Sequence, residues 1–81
     1  MNEVLEQLGS AYERVDEAVS RLLGVEDELL SRLEGMDPEG EEHKQCAFAL
    51  GLVVEMIDRL QDARERIDEV SELASLFDDE P

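Results

Sequence analysis

The sequence predicts an all-α fold: a coiled-coil-like antiparallel hairpin of two long helices that dimerises into a four-helix bundle. Three features of the 81 residues point there. Each half of the chain carries a helical seam of apolar residues, one short acidic turn divides the halves, and one segment of the second half is apolar almost all the way round.

Helix 1 is expected from about residue 2 to residue 34. Alternating steps of three and four land on Leu5, Leu8, Tyr12, Val15, Val19, Leu22, Glu26, Leu29, Leu33 and Met36, all apolar except Glu26. That is the heptad seam of a helix that packs along another helix. Two sites invite a break. Gly9 precedes Ser10-Ala11-Tyr12-Glu13, which has the form of a capping box, and Gly24 costs about 1 kcal/mol relative to alanine in a helix interior. The seam keeps its phase through both, so a continuous or slightly kinked helix is expected, with a three-helix arrangement broken near Gly24 as the alternative. Glu26 is expected to lay its stem along the core and its carboxylate in water; the alternative is a polar layer that fixes register.

The turn lies within Glu34–Glu42, EGMDPEGEE. Gly35 suits a left-handed residue just past a helix end. Asp37 can cap the next helix with Pro38 at its first position, and Glu39 and Glu41 complement the dipole of its first turn. These signals place an acidic turn at about 35–37, helix 2 at about 38–76 and a frayed acidic tail at 77–81, all within one domain.

Helix 2 repeats the seam through Cys46, Ala49, Val53, Met56, Leu60, Ala63, Ile67, Val70, Ala74 and Phe77. Around it the segment AFALGLVV (residues 47–54) is apolar on nearly every side, and such a helix is normally buried. One antiparallel partner cannot cover it, so a second copy is expected, with Phe48, Leu50, Leu52, Val54 and Ile57 as the apolar interface. Ala47, Ala49 and Gly51 leave room for helices to approach closely there.

Asp and Glu number 23 against 7 Lys and Arg, a net charge of −16. That balance excludes direct binding to nucleic acid or an anionic membrane, which would repel the chain. A hydrophobic content of 42% excludes a disordered acidic tail, and the single Cys46 excludes an internal disulfide. MNEVLEQLGS lacks the basic and apolar regions of a signal peptide. The apolar stretch from Cys46 to Ile57 falls short of the roughly 20 residues that span a bilayer. A soluble protein of the bacterial or archaeal cytoplasm is expected, and a phage-encoded one is compatible.

The arginines are expected in pairs at i,i+4, Glu17–Arg21, Glu28–Arg32, Glu55–Arg59 and Asp62–Arg66, on solvated faces. The other acids line outer faces, the turn and the tail. Three readings fit them: solubility, the acid-rich usage of a high-salt organism, or a carboxylate-lined rod that offers charge as a nucleic-acid backbone does. For the third, the candidate contacts are the stripe Asp58, Glu65 and Glu72 and the tip cluster Asp37, Glu39, Glu41 and Glu42.

His43 and Cys46 sit at i,i+3 with Glu39 and Glu42 nearby, residue types that can ligate a metal. No second Cys or His exists to complete a site. A surface histidine beside a core cysteine is expected, with no metal, no cofactor and no catalytic residue assigned. Glu39-x-x-Glu42 followed after twelve residues by Glu55-x-x-Asp58 resembles the metal-binding signature of all-α nucleotide pyrophosphohydrolases of the MazG type. That resemblance implies magnesium held by paired carboxylates, as a remote alternative. Leu73-Ala74-Ser75-Leu76-Phe77 resembles a bacterial sliding-clamp-binding pentapeptide without its leading Gln, and an acidic-tipped hairpin is similar to Gre-type transcription factors, without a second domain to dock it.

In size, acidity and lack of chemistry the chain is similar to small phage-encoded inhibitors, including anti-CRISPR and nucleic-acid-mimic proteins, a likeness of composition. The expected function is a non-enzymatic acidic protein-binding module that occludes a basic nucleic-acid-binding surface of a partner protein. The alternative is a structural coiled-coil adaptor or chaperone that binds through apolar helix 2.

Overall fold

The structure, a computed structural model, describes the backbone of residues 2–78 and the side chains of residues 3–76. Helix α1 (Asn2–Glu34) and helix α2 (Glu41–Asp78) pack against each other as a hairpin. Its principal extents are 66 × 14 × 12 Å, a rod. There is no strand among the described residues. α1 runs unbroken through Gly9 and Gly24. A helix this long draws its stability from the face it packs, and two local propensity losses do not break it.

The turn differs from the sequence-based expectation at both ends. No glycine among the described residues has positive φ, so Gly35 is not a left-handed cap. α1 instead closes by tightening its last turn: the Gly35 amide donates to the Arg32 carbonyl at 3.1 Å and that of Met36 to Leu33 at 3.2 Å. These i→i−3 bonds satisfy carbonyls that would otherwise be orphaned.

Asp37 does not cap α2. Its Oδ1 accepts from the Glu39 amide at 3.1 Å, and its carbonyl accepts from the Gly40 amide at 2.9 Å. Asp37-Pro38-Glu39-Gly40 is therefore a side-chain-braced β-turn, with Pro and Gly at the second and fourth positions that favour them. The first α2 bond runs from the Lys44 amide to the Gly40 carbonyl at 3.3 Å, which makes Gly40 the N-cap. The connection thus spans residues 35–40, and α2 starts at Glu41 rather than Pro38. Glu41 and Glu42 supply the negative charge at its N-terminus. At the far end the helix continues through Phe77 to Asp78, past the expected stop at 76. Asp79–Pro81, where fraying is expected, lie outside the described residues, as does the side chain of Phe77.

The core is a thin layer between the two helices. On α1 it follows the expected seam, with Val19 buried and Leu5, Leu8, Val15, Leu22, Glu26, Leu29 and Leu33 half-buried. Tyr12 lies at the solvent edge, 36% exposed, with Ala11 and Ala18 half-buried beside the seam. On α2 the seam takes a different phase. Leu50, Ile57, Arg64 and Ser71 turn inward between Cys46, Val53, Leu60, Ile67 and Ala74, while Met56 and Val70 remain 44% and 48% exposed. Ile57 and Val53 pack with Val19, flanked by Val15, Leu22, Leu29 and Leu60. Arg64 earns its inward place by an ion pair with Asp16 across the helix interface.

Glu26 is half-buried, and no buried side-chain nitrogen or oxygen among the described residues lacks a partner. Its carboxylate therefore meets solvent, in line with the snorkelling expectation. No helix among the described residues is long and apolar enough to cross a membrane.

Candidate protein-binding surfaces

Residues one heptad apart share a face of a helix, and each residue adds a turn of about 100°. Two facing antiparallel helices are related by a two-fold axis normal to the hairpin's broad side. Equivalent flanks of α1 and α2 therefore emerge on the same side of the rod, which gives it two unlike faces.

On one face the residues just before the buried stripe of each helix line up. α1 contributes Val4, Ala11, Ala18 and Val25; α2 contributes Ala49, Met56, Ala63 and Val70, widened by Leu52 and Leu73. Val4, Val25, Leu52, Met56, Val70 and Leu73 are all exposed. Arg14 and Arg21 edge this face on the α1 side, and Arg59 and Arg66 on the α2 side. Among the arginines only Arg64 lies off it. Shallow depressions on it are lined by Val4, Leu8 and Ala11 and by Leu52, Met56 and Arg59.

The opposite face is acidic. Asp58, Glu65 and Glu72 are exposed on one stripe of α2, with exposed Asp68 beside them and exposed Glu6, Glu13 and Asp27 on the matching side of α1. The stripe places a carboxylate about every 10.5 Å along the rod. Asp37, Glu39, Glu41 and Glu42 are exposed at the tip. They sit about 24 Å from Asp58, counted from Glu42 along α2, so tip and stripe are two separate patches.

The expected i,i+4 pairs are all formed: Arg21–Glu17 and Arg59–Glu55 at 2.7 Å, Arg66–Asp62 at 3.1 Å and Arg32–Glu28 at 3.2 Å. Each is solvent-exposed and contributes a few tenths of a kcal/mol. The cross-helix pair Arg64–Asp16 was not expected; the signal for it is that Arg64 falls on the alternative phase of the α2 seam.

The expected apolar interface residues divide. Phe48 stands 71% exposed, away from its own hairpin, and Leu52 and Val54 are exposed as well. Leu50 is half-buried, and Ile57, 7% exposed, belongs to the core between α1 and α2. The Ile57 side chain fills the hairpin's own seam with Val19 and Val53. Val54 shares the acidic face with exposed Leu23 and Leu30, which make a small apolar patch near the tip.

The residues with ligand chemistry do not converge. Among the described residues no group of three or more His, Cys, Asp or Glu is placed to hold a metal ion. His43 is half-buried, and the Cys46 thiol points at the Leu29 carbonyl, 3.7 Å away. Of the pyrophosphohydrolase-like carboxylates, Glu39 is in the turn, Glu55 is paired with Arg59, and Asp58 faces solvent on α2. Leu73–Phe77, the clamp-like pentapeptide, is helical, with Ala74 buried. No protein-family model, curated protein or solved structure matches this chain.

Proposed function

We propose that the chain is a non-enzymatic acidic module that binds, as a homodimeric four-helix bundle, to a basic groove of a partner protein and keeps DNA or RNA out of it. The setting is the cytoplasm of a bacterial or archaeal cell, where small phage-encoded inhibitors are the class nearest in character. The observation that supports this reading is charge density. A net charge of −16 on a rod 66 Å long is one charge per ~4 Å, close to the 3.4 Å spacing of a single nucleic-acid strand. Two copies side by side give one per ~2 Å, close to the 1.7 Å of duplex DNA.

The adaptor reading has its own support in the exposed apolar patch of Leu23, Leu30 and Val54, with Phe48 on the outer side of the same stretch of α2. Salt separates the two: binding through carboxylates weakens steeply with ionic strength, and apolar docking does not.

The test is competition. A partner captured by this protein should lose its nucleic acid when the protein is added, and excess nucleic acid should displace the protein in turn. Reversal of Asp58, Glu65 and Glu72 together to Lys should abolish binding with the helical circular-dichroism signal intact. A partner that holds both ligands at once with no mutual effect refutes the mimic reading.

A further inference from the structure

We infer that the arginine-edged apolar face, and not the Phe48 side, is where a second copy of this chain packs. The inference rests on the homodimer part of the proposed function and specifies the surface that forms it.

The first argument is area. A compact monomer of 9.2 kDa exposes about 4,900 Å². This chain exposes 6300 Å², an excess of about 1,400 Å² per copy by the same scaling. Two copies that bury that excess hide ~2,800 Å² in total, within the range of permanent homodimers. No large side chain among the described residues is fully buried in the single hairpin, so the chain lacks the core that would hold it closed alone.

The second argument is charge. Two copies at −16 repel unless they meet where charge is balanced. Contact through the acidic face would oppose the Asp58, Glu65 and Glu72 stripes of both copies. Between Ala49 and Val70 the central rows of the opposite face carry no carboxylate; Glu42 continues the α2 row at the tip, and Glu3 edges the depression at Val4. The arginines at the edges of this face are neutralised in place, Arg21 by Glu17, Arg59 by Glu55 and Arg66 by Asp62. The third argument is continuity. Val4 to Val25 spans about 32 Å of α1, with Met56 and Val70 beside it on α2, about half of the 66 Å rod and enough for side-by-side helix packing, whereas Leu23 and Leu30 with Val54 span about 11 Å.

Sedimentation equilibrium on the unmodified protein, with hydroxyl-radical footprinting across the same concentration range, tests the inference. The expected result is a dimer in which Met56, Leu52 and Leu73 become protected while Phe48 and Leu30 stay reactive. Met56→Glu should weaken the dimer at least ~100-fold through a buried unpaired charge, and Val54→Glu on the other face should leave it within about threefold. Should Met56→Glu fail to fold, the footprint of the unmodified chain decides alone. A dimer that protects Phe48 and leaves Met56 reactive overturns the assigned face and keeps the homodimer. A monomer at tens of micromolar overturns both, and leaves the acidic face to be judged by competition.

Discussion

Alanine in place of Gly9, Gly24 and Gly51 should stabilise the protein. All three lie inside helices, none has positive φ, and a Cβ added at any of them meets nothing within 4 Å. Glycine in a helix interior costs about 0.5–1 kcal/mol relative to alanine, chiefly through the freedom it adds to the unfolded chain. With no clash to subtract, each substitution should return about that amount. None of the three lies on the arginine-edged face, so dimerisation should not change. Gly9 and Gly24 are about 22 Å apart along α1, so their effects should add. The triple variant should gain about 2 kcal/mol, which for a domain of this size raises the melting temperature by roughly 8–16 °C. Thermal circular dichroism at one fixed protein concentration reads the change, since an oligomer's melting temperature moves with concentration. Gly40→Ala is the internal control: its Cβ would sit 3.3 Å from the Asp37 carbonyl oxygen, and alanine is a poor N-cap, so this variant should lose stability. A melting temperature that falls for Gly24→Ala or Gly51→Ala would refute the reasoning and show that a second copy approaches the backbone at those glycines.

Three further outcomes follow from the fold. Ile57→Ala removes most of a buried side chain from the Val19 and Val53 cluster and should lower stability by about 2–4 kcal/mol, measured by urea titration. Asp37→Ala removes the side-chain bond that braces the turn and should cost about 0.5–1 kcal/mol by the same titration. Added salt screens the repulsion of a chain at −16 and should raise the melting temperature; a fall would mean that the exposed ion pairs outweigh the repulsion.

Both helices, their antiparallel pairing and the continuity of α1 were legible because a helix that buries one stripe must write that stripe at heptad spacing, and α1 does so from Leu5 to Leu33. The phase of α2 was not legible for the complementary reason. Its Ala49, Met56, Ala63 and Val70 row is uniformly apolar, and its Leu50, Ile57, Arg64 and Ser71 row is not. Counting apolar residues favours the first, while packing favours the second, where two large branched side chains fill the gap and Arg64 meets Asp16. A helix apolar on most sides does not declare which side its own partner takes. The start of α2 was missed because Asp37 and Pro38 suit a helix N-terminus and a β-turn equally, and Gly40 settles the contest by offering a cap three residues later. The acidic stripe and tip were readable as exposed positions. Their separation into two patches, and the gathering of arginines on the opposite face, required the pairing of the helices.

The braced turn at Asp37–Gly40 also sets the order in which the rod closes. Near the turn, Cys46 meets Leu29 across 17 residues of chain; further along, Arg64 meets Asp16 across 48. Loop-closure entropy grows with the logarithm of that separation, so the second contact costs about 0.9 kcal/mol more than the first if formed alone. The hairpin therefore zips from the turn outward and opens from the free ends inward, and amide protection should decline in that direction. The tip is accordingly a preformed surface for whatever binds it, while anything that grips the open end must also hold the two helices together there.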